Sequence, residues 1–145
     1  MDPGSAPDAA PAALRPATAD DIAAVLAFWE AAAEPTSTDS ATALAALLHR
    51  DPGALVVAET GGRIVGTVIA GWDGWRGSVY RLAVAPASRR VGLGRSLLRA
   101  AEDRLRDLGA RRAHAIVIGA NTTAVAFWHA SGWEFQDGQL RFARG

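Results

Sequence analysis

The hydrophobic period of this chain changes near residue 90, and that change limits the folds open to it. Before it, apolar residues come in short runs at residues 55–59, 64–70 and 78–85, the last carrying Val79, Tyr80, Leu82 and Val84. Short runs bounded by turn residues are strand signals. After it, Leu93, Leu97, Leu98, Ala101, Leu105 and Leu108 recur at helical spacing and stop at Gly109, the pattern of an amphipathic helix with a glycine end. Ala115, Ile116, Val117 and Ile118 then make a new apolar run, so residues 112–118 are expected to form a buried strand. Strand, helix and strand in succession predict a parallel crossover, whereas Gly61-Gly62 between the first two runs predicts an antiparallel hairpin. A mixed antiparallel and parallel sheet follows, with helices on both faces.

The remaining elements fit around this centre. Residues 13–16 read as a short strand, and Thr18 or Asp20 as the cap of a helix carrying Ile22, Val25, Leu26 and Trp29. Pro35-Thr36-Ser37-Thr38 breaks that helix. A second one, about residues 41–49, carries Leu44, Leu47 and Leu48 and ends at Asp51-Pro52-Gly53. Asn121 or Thr122 caps a last helix that Ser131-Gly132 ends, and short strands near residues 133–135 and 139–142 close the chain. The expected order is β-α-α-β-β-β-α-β-α-β-β, a mixed α/β fold. Residues 1–12, rich in Pro, Ala, Asp, Gly and Ser without apolar period, are expected to be a disordered tail. Residues 13–145 make one domain.

Composition removes several classes of function. Basic and acidic residues number 15 each, so no charge excess favours nucleic acid as a partner. There is no cysteine, hence no disulfide framework, thiolate nucleophile or cysteine zinc site. His49, His114 and His129 share no metal-ligand spacing, and no metal is expected. No segment reaches the ~18 apolar residues of a membrane span. The expected setting is cytoplasmic.

The strongest chemical signal is Arg89-Arg90-Val91-Gly92-Leu93-Gly94-Arg95-Ser96, between the strand ending near Val84 and the leucine-rich helix. Glycines let backbone approach a ligand closely, and a helix start offers unpaired N–H groups that suit phosphate. Arg89, Arg90 and Arg95 can fork onto phosphate oxygens. The same residues also read as an ordinary strand-to-helix turn with surface arginines. They form neither a P-loop nor a Gly-x-Gly-x-x-Gly fingerprint.

Tyr80-Arg81-Leu82-Ala83-Val84-Ala85-Pro86 followed by Arg89-x-x-Gly92-x-Gly94 resembles the signature of the GNAT acyltransferases. Asn121 and the run from Ala126 through Phe127, Trp128 and His129 to Trp133 resemble that family's closing helix and the start of its next strand. Gly71-Trp72-Asp73-Gly74-Trp75-Arg76-Gly77 further resembles the loop of a bacterial subgroup. The resemblance implies an N-acetyltransferase that takes acetyl-CoA as co-substrate and an amine as acceptor, and it allows a homodimer. By it, backbone groups of Leu82, Ala83 and Val84 would pair with the pantetheine arm. Amides of Arg90, Val91, Gly92, Leu93, Gly94, Arg95 and Ser96 would cradle the pyrophosphate, with the Arg89 side chain nearby. Asn121 would touch the arm, Phe127 and Trp128 would flank the thioester, and the Val84 N–H would meet the oxyanion.

The proton-transfer groups are less determined. The family's usual tyrosine acid is replaced by Trp128, whose indole cannot give up a proton near neutral pH. Tyr80, Ser131 and His129 are substitutes, and Tyr80, placed with Leu82 and Val84 on one strand face, also reads as core. Asp73, Glu30 and Glu34 are candidate bases, although Asp73-Gly74 also reads as a turn. Trp29, Trp72 and Trp75 beside Glu30 and Asp73 would suit a cationic amine, or would complete a small core. A second reading is an acetyl-CoA-binding sensor without appreciable turnover.

Overall fold

A computed structural model of the chain describes residues 11–89 and 91–145. Most of the expected tail, and Arg90 of the expected phosphate cradle, lie outside the described residues. The elements are β1 (Ala13–Pro16), α1 (Ile22–Ala32), α2 (Ala41–Arg50), β2 (Leu55–Thr60), β3 (Arg63–Trp72), β4 (Gly77–Val84), α3 (Leu93–Leu108), β5 (Ala113–Ala115) and α4 (Thr122–Ala130). The chain divides into two compact units, Met1–His114 and Ala115–Gly145.

The sheet runs β1-β2-β3-β4-β5 in space, and its first three pairings are antiparallel. β5 returns to the β4 edge after α3, the crossover that a parallel neighbour needs. It lies beside the beginning of β4, where the Gly77 N–H donates to Arg112 O at 2.9 Å and the Ser78 hydroxyl meets His114 Nε2 at 3.2 Å.

The pleat of β3 shows the layering. Thr67 and Ile69 face α1 and α2: the buried Trp29 donates from Nε1 to Thr67 Oγ1 at 2.8 Å, and Ile69 joins Val25, Leu44, Leu55 and Val57 in one core. Gly66 faces α3. A Cβ there would lie 2.7 Å from Leu97 Cδ1, and one at Gly77 would lie 2.7 Å from Leu105 Cδ1. Leu97 and Leu105 are about two turns apart on α3, so the helix presses onto the sheet where side chains are missing. The expected leucine stripe is buried from Leu93 to Leu105, but Leu108 is exposed. Arg104 of α3 donates to Ala70 O at 2.6 Å and pairs with Asp51, tying the helix to the end of α2.

At the other end of the sheet, Arg15 of β1 forks onto Asp21 at 2.8 and 2.9 Å and reaches Glu59 at 3.2 Å. Asp21 also accepts the Thr18 N–H at 2.7 Å, which closes the turn into α1.

Two expectations are corrected. The strand expected over residues 112–118 ends at Ala115, and Ile116 and Ile118 are 55% and 56% exposed rather than buried. β-branched residues favour extended backbone, but a strand persists only while a neighbour offers ladder bonds. The backbone contact that places β5 is at Gly77, at the start of β4, and β4 departs from regular pairing just past Tyr80. The strands expected at residues 133–135 and 139–142 do not form. Asp137-Gly138 does make a turn between them, yet an isolated two-stranded ribbon is marginal in water.

Gly66→Ala is expected to lower stability by about 1–3 kcal/mol, because Leu97 must yield. Urea unfolding would show a lower midpoint at unchanged slope. Asp21 offers a pH test. The Arg15 fork, helped by the Thr18 N–H, holds its carboxyl well below the usual carboxylate range. A depressed carboxyl stabilises the fold above its unfolded pKa of about 4, and the contribution fades as pH falls below that value. Asp21→Asn should therefore cost about 1 kcal/mol at pH 7, Arg15 being partly solvated, and the difference from the native chain should shrink steadily toward pH 2.

Candidate active site

The site is built on an irregularity in β4. Thr67 pairs with Ala83 and Ile69 with Tyr80, so Val68 alone stands opposite both Arg81 and Leu82. This is a β-bulge, and Arg81 within it has φ 51°, a left-handed conformation unusual for a residue with a side chain. In a regular pleat Arg81 would follow Tyr80 onto the opposite, α3-facing side. The positive φ turns it back toward α1. Its guanidinium carbon lies 4.7 Å from the Trp29 ring centroid, while Nη1 donates to Glu34 O at 2.7 Å and Nη2 to Asp39 Oδ2 at 2.5 Å. Thr67 Oγ1, itself bonded by Trp29, donates to the Arg81 carbonyl at 2.8 Å.

The bulge corrects the expected grouping of Tyr80 with Leu82 and Val84. Tyr80 and Ala83 share the α1 face, while Leu82 and Val84 alternate to the other. Tyr80 is half exposed rather than core.

Backbone polarity past the bulge follows from the ladder. The Ala85 N–H donates to Val65 O at 2.8 Å, so by alternation the Val84 N–H and C=O point away from β3. The Val84 carbonyl accepts Arg89 Nε at 3.2 Å on that side. β5, only three residues long and set beside the start of β4, does not extend along this stretch.

The turn that follows ends at Gly92, whose φ of 81° explains a glycine there. Gly92 at the N-cap carries no side-chain cap among the described residues, the amides of Leu93 and Gly94 open the helix, and the Ser96 N–H bonds to Gly92 O at 3.0 Å. Val91 is exposed beside them.

The expected proton-transfer and acceptor residues separate into different surroundings. Asp73 accepts the Trp75 and Arg76 N–H groups at 2.7 Å each, and these bonds, Arg76 first, hold its carboxyl below the usual range. It closes the β3–β4 turn and is a weak proton acceptor. Trp75 is exposed with the Arg76 guanidinium 4.3 Å from its ring, and Trp72 is partly buried at the end of β3. Trp29 is 2% exposed, so the expectation that it walls the acceptor is corrected: its ring and N–H are engaged inside the core. Glu30 is exposed on α1.

Within Ala115–Gly145, Asn121 caps α4 by accepting the Ala124 N–H at 3.0 Å. Trp128 lies edge-on to Phe127 and Trp133, with centroids 5.9 and 4.7 Å away. His129 is exposed. No group of three metal-ligating side chains occurs among the described residues.

Sequence reasoning passed over Thr67, Arg81 and Asp39. The available signal was Arg81 itself, a charged residue inside an otherwise apolar strand.

Comparison with known proteins adds the lineage. The pattern of the Acetyltransferase (GNAT) family matches residues 22–133. An acetyltransferase of Sodalis glossinidius (strain morsitans) is 31% identical over 123 residues, covering 83% of this chain and 86% of its own length. An acetyltransferase of Pectobacterium atrosepticum is 33% identical over 120 residues, covering 81% and 84%. Among solved structures, the aminoglycoside 6'-N-acetyltransferase of Acinetobacter haemolyticus aligns with TM-score 0.74 at 16% identity, covering 92% of this chain and 98% of its own. The PaiA N-acetyltransferase of Thermoplasma acidophilum, solved with coenzyme A, aligns at 0.75 and 14%, covering 88% and 92%. These last two speak for the fold. Together with the family pattern and the closer relatives, they identify the chain as a member of the GNAT acetyltransferase family, an acyltransferase.

Proposed function

We propose that the chain transfers the acetyl group of acetyl-CoA to a primary amine by direct attack while both substrates are bound, the acceptor being a small molecule or a peptide terminus. One observation carries the reading. The outward-facing backbone of β4 at Val84 leads on to the first turn of α3, whose N-cap Gly92 takes no side-chain cap among the described residues. An extended arm bearing amides fits the first as an added strand would, and a pyrophosphate fits the second. Val84 and Leu82 would hold the arm, while Ala83, expected to pair with it, turns its own backbone groups toward Thr67 by the same alternation and would only adjoin it. Val91, Gly92, Leu93, Gly94, Arg95 and Ser96, with Arg90 beside them in sequence, would hold the phosphates, and Arg89 would add charge. Asn121, Phe127 and Trp128 would complete the cofactor contacts.

In the reaction the amine nitrogen bonds to the thioester carbon, the C–S bond breaks, and coenzyme A leaves as its thiol, its sulfur taking up in net terms the proton that the amine loses. The Val84 N–H, already directed away from β3, would stabilise charge on the thioester oxygen. A deprotonated amine aligned on that carbon supplies the remaining rate, since proximity alone is worth several orders of magnitude. Trp72 and Trp75, with Asp73 between them in sequence, would attract a cationic acceptor, and Glu30 of α1 would add negative charge. Two solved neighbours are named as N-acetyltransferases of amines, one for an aminoglycoside and one for the alanine of a ribosomal protein, which supports an amine as the nucleophile. The reading sets the protein in the cytoplasm and permits a homodimer.

Calorimetric titration tests it. The native chain should bind acetyl-CoA with Kd on the order of 1–100 μM, within the usual range for enzyme substrates. Gly94→Trp, which fills the helix start, should weaken binding at least about tenfold while melting as cooperatively as the native chain. No binding at millimolar acetyl-CoA would end this reading. Thiol release over an amine panel then separates an enzyme from a sensor that binds without turnover. Asp73→Asn keeps an acceptor oxygen for the turn, so kcat should stay within about threefold and the pH profile should not move. A loss of about 100-fold or more would make Asp73 the base after all.

A further inference from the structure

Arg81 has an arrangement that cofactor binding does not require. Asp39, its ionic partner, also accepts the Thr36 N–H at 3.1 Å and the Thr36 hydroxyl at 2.8 Å, so one carboxylate organises the link between α1 and α2. The Arg81 guanidinium holds this link at two points, Glu34 O and Asp39, and rests on Trp29 between them. Both charged side chains are largely shielded, at 14% and 19% exposure, which strengthens their attraction relative to a surface pair. Arg81 Nε is buried without a hydrogen-bond partner. A strained backbone, a desolvated charge and an unpaired donor are all unfavourable locally. They persist because the link is held in return.

The position gives the hold its meaning. Arg81 immediately precedes residues 82–84, and α3 covers the opposite face of the sheet. An acceptor reaching the reacting carbon therefore approaches from the face of the half-exposed Tyr80, beside the link of residues 33–40. We propose that Arg81 is a positioning residue that latches residues 33–40 to the β4 bulge and so sets the wall against which the acceptor amine binds. The inference rests on the acetyltransferase reading above.

Arg81→Gly is the informative variant, because glycine accepts φ 51° without strain and removes only the side chain. Three readouts are compared with the native chain: acetyl-CoA affinity by calorimetry, KM and kcat for the best amine of the panel, and amide hydrogen exchange of residues 33–40. The expected result is acetyl-CoA affinity within about twofold, KM for the amine raised about tenfold or more, and markedly faster exchange confined to residues 33–40. Asp39→Asn leaves the bulge untouched and should show the same split at smaller amplitude, which keeps the test decisive if Arg81→Gly folds poorly. Arg81→Lys, which keeps charge but loses the fork, should fall between native and glycine variants.

Unchanged exchange in residues 33–40, or an unchanged amine KM in both variants, overturns the latch. Equal losses in acetyl-CoA affinity and amine KM also overturn it, since they would mean a general disturbance of β4. A native chain that binds no acetyl-CoA or acetylates no amine overturns the acceptor role together with the acetyltransferase reading, and that outcome is read from the native chain alone.

Discussion

The hydroxyl of Thr67 is the point on which the centre of this molecule depends. It is fully buried, it accepts the indole N–H of Trp29, and it donates to the carbonyl of Arg81. One side chain on β3 thus satisfies a donor from α1 and an acceptor on β4, inside a core where an unmade hydrogen bond costs about 1–3 kcal/mol. The helix layer, the central strand and the bulged strand are locked together through a single oxygen. Valine has nearly the same shape but offers neither bond, so the hydroxyl is what this place requires.

From that lock the bulge acquires a use. A non-glycine residue with positive φ is strained, and strain is retained where the surroundings determine it. Here the carbonyl of Arg81 is held by Thr67, and its guanidinium by Glu34, Asp39 and the face of the Trp29 ring. The strand that leaves the bulge carries backbone groups directed away from β3 at Val84, and β5 has by then ended. On the far face, Gly66 and Gly77 admit Leu97 and Leu105, so that α3 begins close to where β4 finishes. An exposed strand edge and a helix start are brought into sequence by packing on both faces of the sheet.

Much of this order was legible in the chain. The change from strand runs to a leucine repeat predicted the crossover, Gly61-Gly62 predicted the hairpin, and each of the first eight elements lies where its residues placed it, β5 in shortened form. These are local signals, set by turn geometry and by periodicity relative to water. The failures share a cause. Residues 116–118, 133–135 and 139–142 have strand-like composition, but a strand is made by its neighbour, and composition does not report whether an edge is available. Trp29 failed as an acceptor wall for a related reason: an aromatic ring on a helix is equally suited to core and cleft until the layer above it is known.

By itself the sequence determined the elements through the end of α3, the fold class and the glycine turn at the start of α3, because hydrophobic period, proline and glycine act over a few residues. Tertiary structure alone decided that Arg81 turns back across its own strand and that Tyr80 parts company with Leu82 and Val84, whereas the turn at Asp73-Gly74 was already one of the readings the sequence offered. A one-residue bulge inverts the pleat that sequence reading assumes. Those outcomes depend on partners dozens of residues away, and only the packed sheet brings them within reach.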